Sequence, residues 1–206
     1  MNDATNSTNS LRGKIFELLS HKRFLTQDQL ALEFRSLDAG DIDTEETNQP
    51  DLAAAANVAR ESSIFTLTTQ EKMEEKRFAK VDEICKVPGK VMYYRPRAKN
   101  FGALDALIVD GIKERCYGLQ MTIGKTHPVA WKPLYDVLKH LREIELAEDF
   151  CLYFVVPPYM RDSYKRQPIR TNKDDLFKNP DDVGRLPQFA CGVNAFGIPT
   201  ARESKS

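Results

Sequence analysis

The chain of 206 residues lacks an excess of charge of either sign, with 30 Lys plus Arg against 30 Asp plus Glu. A neutral chain has no bulk basic field of the kind that drives indiscriminate binding to nucleic acid or membrane surfaces, so any polyanion site must be a local patch. It also lacks long apolar runs, and none approaches the roughly 20 residues that a membrane-spanning helix requires. Cysteine is scarce and scattered: Cys85, Cys116, Cys151 and Cys191 include no CxxC pair, which excludes a zinc knuckle or disulfide framework and points to a reducing compartment. The opening MNDATNSTNS has no basic segment followed by an apolar one, so neither a secretory signal nor a transit peptide is read from it. No internal repeat is visible.

What is present is a globular composition, 41 % hydrophobic and 29 % charged, in a length suited to one main domain. The expected organisation is a disordered leader over 1–9, an α/β domain over 10–174 and a loosely packed tail over 175–206. Leu11, Ile15, Leu18 and Leu19 recur at helical spacing, predicting a helix over 10–22 with Gly13 as a weak point in its first turn. A second helix is expected over 26–35, from Thr26 as N-cap and from Leu30 and Phe34 four apart. The acidic stretch 38–51 carries no Lys or Arg and reads as a solvated loop. Ala53 to Ala56 open a further helical segment, 63–68 alternates as a short strand, and 71–86 reads as a charged helix.

From Lys90 onward the segments VMYY, ALDALIVDG and RCYGLQMTIG are rich in β-branched and aromatic residues and bounded by Pro or Gly; they predict three consecutive strands. Trp131, Leu134, Leu138 and Leu141 give the core stripe of an amphipathic helix over 131–145. FCLYFVVPP at 150–158 is continuous rather than alternating, as expected of a strand buried on both faces and stopped by the paired prolines.

Two of these strands carry polar residues where the pattern calls for apolar ones. Asp105 shares a face with Leu107 and Val109, and Gln120 shares one with Thr122. A carboxylate in an apolar strand is costly unless it is paired, hydrogen-bonded or bound to a cation. The hairpin register decides whether the two groups meet. A two-residue turn at Asp110-Gly111 would set Asp105 opposite Cys116, roughly 13 Å short of Gln120 at ~3.4 Å per residue. A longer connection through Gly111, Ile112, Lys113 and Glu114, centred between Ile112 and Lys113, sets Asp105 opposite Gln120 on one face, and this is the register expected.

The run from Tyr93 to about Gln167, with Tyr94 and Pro96, LDALIVDG, LQMTIGKTHP, an amphipathic helix and FVVPPYMRDSYKRQ, resembles the nuclease-type C-terminal domain of Crinkler effectors, itself similar to domains of retrotransposon hot spot proteins. RGKIFELLSH at 12–21 resembles the start of such modules. The resemblance implies a restriction-endonuclease-like α/β fold of the PD-(D/E)xK type, a mixed sheet flanked by helices. It implies Asp105 and Gln120 as ligands of Mg²⁺, with Glu17 as the acid from the first helix, acting on nucleic acid, DNA before RNA. It also implies export to a host nucleus, where a nuclear protein is a second possible partner. The chain shows no P-loop module and no effector leader, as expected of a truncated or diverged copy. One position departs from the pattern: Thr122 stands where the nuclease motif has a lysine, so either Lys125 substitutes from the strand end or the activity is lost and a pseudoenzyme binding protein or DNA is left.

Each of these residues also has an ordinary structural reading. Asp105 is then a strand-end carboxylate paired with Arg95 or Arg97, Gln120 and Thr122 are a buried cross-strand hydrogen-bond pair, and Glu17 and Lys125 are solvated. His21 is a cation at a helix C-terminus first and a site residue second. His127, at a loop-to-helix junction, contacts phosphate, caps the helix or makes a core hydrogen bond. Arg95, Arg97 and Lys99 interleave with aromatics, and Arg161, Lys165, Arg166, Arg170 and Lys173 form a second basic run; both are candidate nucleic-acid contacts, or else solvated faces.

Overall fold

The computed structural model describes residues 3–26, 29–37, 64–68, 73–99, 101–170 and 186–195. Its elements in chain order are α1 (Asp3–Thr26), β1 (Gln29–Ser36), β2 (Ile64–Thr68), β3 (Glu74–Phe78), β4 (Val91–Pro96), β5 (Ala106–Asp110), β6 (Arg115–Met121), β7 (Val129–Ala130), α2 (Trp131–Glu143), β8 (Cys151–Val156), β9 (Ile169–Arg170) and β10 (Gln188–Gly192), with short 3-10 turns at Val81–Glu83 and Pro158–Ser163. Eight strands form one mixed sheet in the order β2-β1-β10-β8-β6-β5-β4-β3. The pairs β10/β8, β8/β6 and β4/β3 are parallel and the rest antiparallel. β7 and β9 pair separately. The protein is therefore an α/β protein, as expected.

The parallel step from β6 to β8 is made through α2, a βαβ unit. Leu134, Val137, Leu138 and Leu141 of α2 pack on one face of the sheet with Leu107, Val109, Cys116, Leu152, Phe154 and Val156. The opposite face is covered by α1, whose Phe16 and Phe24 pack with Tyr93, Ile108, Leu119, Met121 and Val155. With both faces covered, β5 and β8 read as continuous apolar runs. The three strands after Lys90, the 63–68 strand, the FVVP strand and the 131–145 helix stand close to where the sequence puts them.

Four expectations are corrected. The helix expected at 26–35 is the strand β1, in which Leu32 and Phe34 are buried two apart and the backbone is paired on both sides, to β2 and β10. The charged helix expected at 71–86 is β3 followed by a 3-10 turn. Residues 74–77 are exposed at the sheet's edge, where charged side chains guard an unpaired backbone. The tail expected to pack loosely from 175 contains β10, which lies inside the sheet between β1 and β8 with Ala190, Cys191 and Val193 buried. Finally, the leader expected to be disordered over 1–9 contributes from Asp3 to α1. On that helix the apolar stripe faces outward: Leu11 and Leu18 are 59 % and 62 % exposed, while Phe16, Ser20, His21 and Phe24 are buried. The acidic loop at 38–51 and the helix expected from Ala53 lie outside the described residues.

The β5–β6 hairpin has the long connection. Asp110, 2 % exposed, accepts the N–H groups of Ile112 and Lys113 on one carboxylate oxygen, at 3.0 Å each. That wrap fixes a four-residue loop over 111–114, with Glu114 in the left-handed region at φ 55°. The resulting register runs from Asp110↔Arg115 to Ala106↔Leu119, where the ladder ends; beyond it the Asp105 N–H reaches the Leu119 carbonyl, so the expected pairing of Asp105 with Gln120 does not follow.

Candidate functional site

The ladder ends at Asp105, which is held by two bonds to β6. Its N–H donates to the Leu119 carbonyl at 2.9 Å, and its carboxylate oxygen Oδ2 accepts the Met121 N–H at 2.6 Å. The side chain thus takes over the role of a missing strand partner. Among the described residues this backbone N–H is its hydrogen-bond partner; Arg95, the expected salt-bridge partner, turns instead to Glu75 at 3.2 Å. Burial pushes the Asp105 carboxyl up to about 7; the Met121 N–H and Arg95 pull it down, and Glu17 pushes it up. A carboxylate so placed lacks a strong positive neighbour.

On β6, Gln120 is 3 % exposed. Its amide nitrogen lies 2.5 Å from His127 Nε2, and its carbonyl oxygen is buried without a hydrogen-bond partner. His127 sits in the loop after β6, where its N–H donates to Gln167 Oε1 at 2.5 Å. The ring is half-buried, which lowers its pKa, while Glu17 raises it. Glu17 bears electrostatically on both Asp105 and His127, so the helical acid, the strand acid and the loop histidine share one neighbourhood at the end of the sheet.

Glu17 is itself backed by a buried chain. His21 Nε2 lies 3.5 Å from Glu17 Oε1, and His21 Nδ1 lies 2.8 Å from the Tyr93 hydroxyl. The His21 ring beside it holds the Glu17 carboxyl below its ordinary value. Burial keeps His21 and Tyr93 in their neutral forms, lowering the first pKa and raising the second. His21 is therefore a core residue beside the acid, and the reading as a cation at the helix C-terminus is corrected. Replacing Tyr93 by Phe leaves His21 Nδ1 buried and unpaired, and is expected to lower stability by about 1–3 kcal/mol in urea titrations.

The remaining candidates divide. Thr122 closes the turn after β6 by accepting the Gly124 N–H at 3.0 Å, so the expected Gln120–Thr122 pair does not form. Lys125 is exposed and is not among the groups acting on Asp105. Arg97 and Lys99 are exposed at the end of β4, beside the more buried Arg95. The second basic run does not make one free patch. Arg166 donates to the Leu186 carbonyl at 3.1 Å, Arg161 pairs with Asp162 at 2.9 Å, and Lys165 is exposed; Lys173 lies outside the described residues.

The residue that sequence reasoning missed is Gln167. Beyond accepting the His127 N–H, its amide donates to the carbonyls of Lys125 at 3.3 Å and Lys165 at 2.7 Å. Its backbone exchanges two bonds with the Gln188 side chain, at 2.8 and 3.0 Å. A lone Gln before a proline carries no local signal of this, because each of its partners is remote in sequence except Lys165.

Among the described residues no three His, Cys, Asp or Glu side chains are grouped to hold a metal. Asp105 offers one buried carboxyl, tied to the Met121 N–H, and Gln120 one buried carbonyl oxygen without a donor. Comparison with family models, curated proteins and solved structures finds no match to this chain. No helix among the described residues is long and apolar enough to cross a membrane.

Proposed function

We propose that this protein is a Crinkler-type effector domain with a restriction-endonuclease-like fold, and that the end of the β5–β6 hairpin is a divalent-cation-dependent, nuclease-like site acting on nucleic acid. The observation that carries the reading is a buried carboxyl at the start of β5, raised to about 7 by burial, with the Glu17 carboxylate acting on it from α1. Mg²⁺ takes oxygen ligands, keeps several waters and is commonly held by one or two carboxylates together with substrate phosphates, so two protein oxygens are a sufficient donor set. Bound there, such an ion supplies Lewis-acid activation of a phosphodiester. Asp105 and Gln120 would hold the ion, Glu17, which acts electrostatically on Asp105, would orient a water or act as a base, and Arg95, Arg97 and Lys99 at the adjoining end of β4 would meet phosphates. By the same resemblance the domain acts in a host nucleus after export, on DNA before RNA.

Thr122 favours a second reading. Its hydroxyl is engaged with Gly124 and supplies no positive charge, and Lys125 stands apart from Asp105. A pseudoenzyme that binds DNA or a host nuclear protein without cutting fits those two facts. The readings separate on supercoiled plasmid with Mg²⁺ or Mn²⁺. Metal-dependent cutting that Asp105→Ala abolishes supports the nuclease. Retained binding without cutting by the wild-type protein supports the pseudoenzyme.

A further inference from the structure

Among the large hydrophobic side chains exposed in the described residues, Ile112, Tyr135 and Tyr159 stand singly, whereas Leu11, Ile15 and Leu18 stand together on α1. At 3.6 residues per turn these three fall within about 60° of arc and span two turns, roughly 10 Å along the axis. A stripe with this spacing ordinarily faces a core. Here the core lies on the other side of the helix, where Phe16 and Phe24 pack on the sheet. A lone exposed apolar side chain is commonplace, but a contiguous row of them marks a surface that something covers.

The row is edged by one sign of charge. Arg12, Lys14 and Lys22 are exposed around it, while the one acid among the described side chains of α1, Glu17, is turned to His21. A second copy of this chain laid on the row would set that basic edge against itself, a juxtaposition that electrostatics opposes. A bilayer interface takes up a broad apolar face rich in aromatics, whereas this row is one side chain wide and the aromatics of α1 point to the sheet. What the row matches is a single ridge of another helix, apolar at every third or fourth residue and edged with Asp and Glu. We propose that the outward face of α1 from Leu11 to Lys22 docks an acidic amphipathic helix of a partner protein. The three aliphatic side chains supply the apolar contact, and the three cations select the charge. Two turns of contact bury less than a standard interface, so the complex is a transient one. The surface lies on the side of α1 away from the sheet and does not depend on the site proposed at β5.

The probe is a fluorescein-labelled three-heptad peptide with Leu at positions a and d and Glu at e and g, whose like charges oppose its own pairing; the counter-probe has Lys at e and g. Each is titrated with the full-length protein and followed by fluorescence anisotropy. The wild-type protein is expected to bind the Glu peptide at least about tenfold more tightly than the Lys peptide. Leu11→Gln combined with Leu18→Gln is expected to weaken the Glu peptide about tenfold or more with an unchanged melt, since both positions are exposed. Lys14→Glu combined with Lys22→Glu is expected to reverse the preference between the two peptides. No binding of the Glu peptide at about 0.5 mM protein, equal binding of both peptides, or undiminished binding by the double Gln variant overturns the proposal. So does a dimer in sedimentation, or attachment to phosphatidylserine vesicles, that the double Gln variant loses, because the row then belongs to a second copy or to lipid.

Discussion

In metal-free buffer, Asp105→Asn is expected to be more stable than the wild-type protein at pH 8, and the advantage is expected to shrink as the pH is lowered. The sign follows from the direction of the shift. The Asp105 carboxyl is raised from 3.8 to about 7 in the folded protein, so between those values the native state binds more protons than the unfolded chain does. Stability linked to this group is fully present below about pH 4 and is lost as the pH rises towards 7. A shift of this size corresponds to a ceiling of about 4 kcal/mol between pH 4 and 8. Asparagine removes the buried charge and still offers the Met121 N–H an oxygen, but its amide N–H groups then need partners, so a net gain at pH 8 of about 2 kcal/mol is expected. For a chain of this length that is a rise in Tm of roughly 4–8 °C. Thermal melts of both proteins across pH 4 to 8 check it, and a stability difference that does not vary with pH would sink the idea. The proposed site would account for such an acid, since a destabilising group at a site is the usual trade between activity and stability.

The second large effect is expected at Gly111. A Cβ there would sit 2.1 Å from the Val87 carbonyl oxygen and 2.9 Å from that of Lys90, because the Val87–Lys90 turn docks on the hairpin loop through the bond from the Gly111 N–H to the Lys90 carbonyl. Backbone atoms cannot swing aside as a side chain can. Gly111→Ala is expected to cost about 3 kcal/mol, the upper end of overpacking, and to lower Tm by roughly 6–12 °C. The loop also sets the β5–β6 register from Asp110↔Arg115 to Ala106↔Leu119. A melt within about 2 °C of wild type, inside what a surface change produces, would show that the two turns are not coupled.

How much of this was legible in the sequence depended on how local its cause is. Asp105 stood out because a carboxylate in an apolar strand is a local anomaly. The register followed from the number of residues between the two strands, since Asp110 and the four residues after it form a self-contained turn. The strands after Lys90 and the 131–145 helix follow from periodicity within a dozen residues. β1 was misread because Leu30, Leu32 and Phe34 fit a period of two while Leu30 and Phe34 alone fit a helix, and what decides between them is pairing with Phe189, Ala190 and Cys191. β10 has too few apolar residues to announce itself, and it is a central strand because β1 and β8 leave a place for it.

The sequence by itself determined the suspect acid, the long connection of its hairpin, and the α/β class. Only the tertiary structure decided which face of α1 is buried, that Arg95 is taken by Glu75, and that the Gln120 amide meets His127, itself bonded to Gln167. The physical reason is range. Turns and periodicities are fixed by neighbours along the chain, whereas a buried hydrogen-bond network is fixed by whichever distant groups the packed sheet brings within about 3 Å.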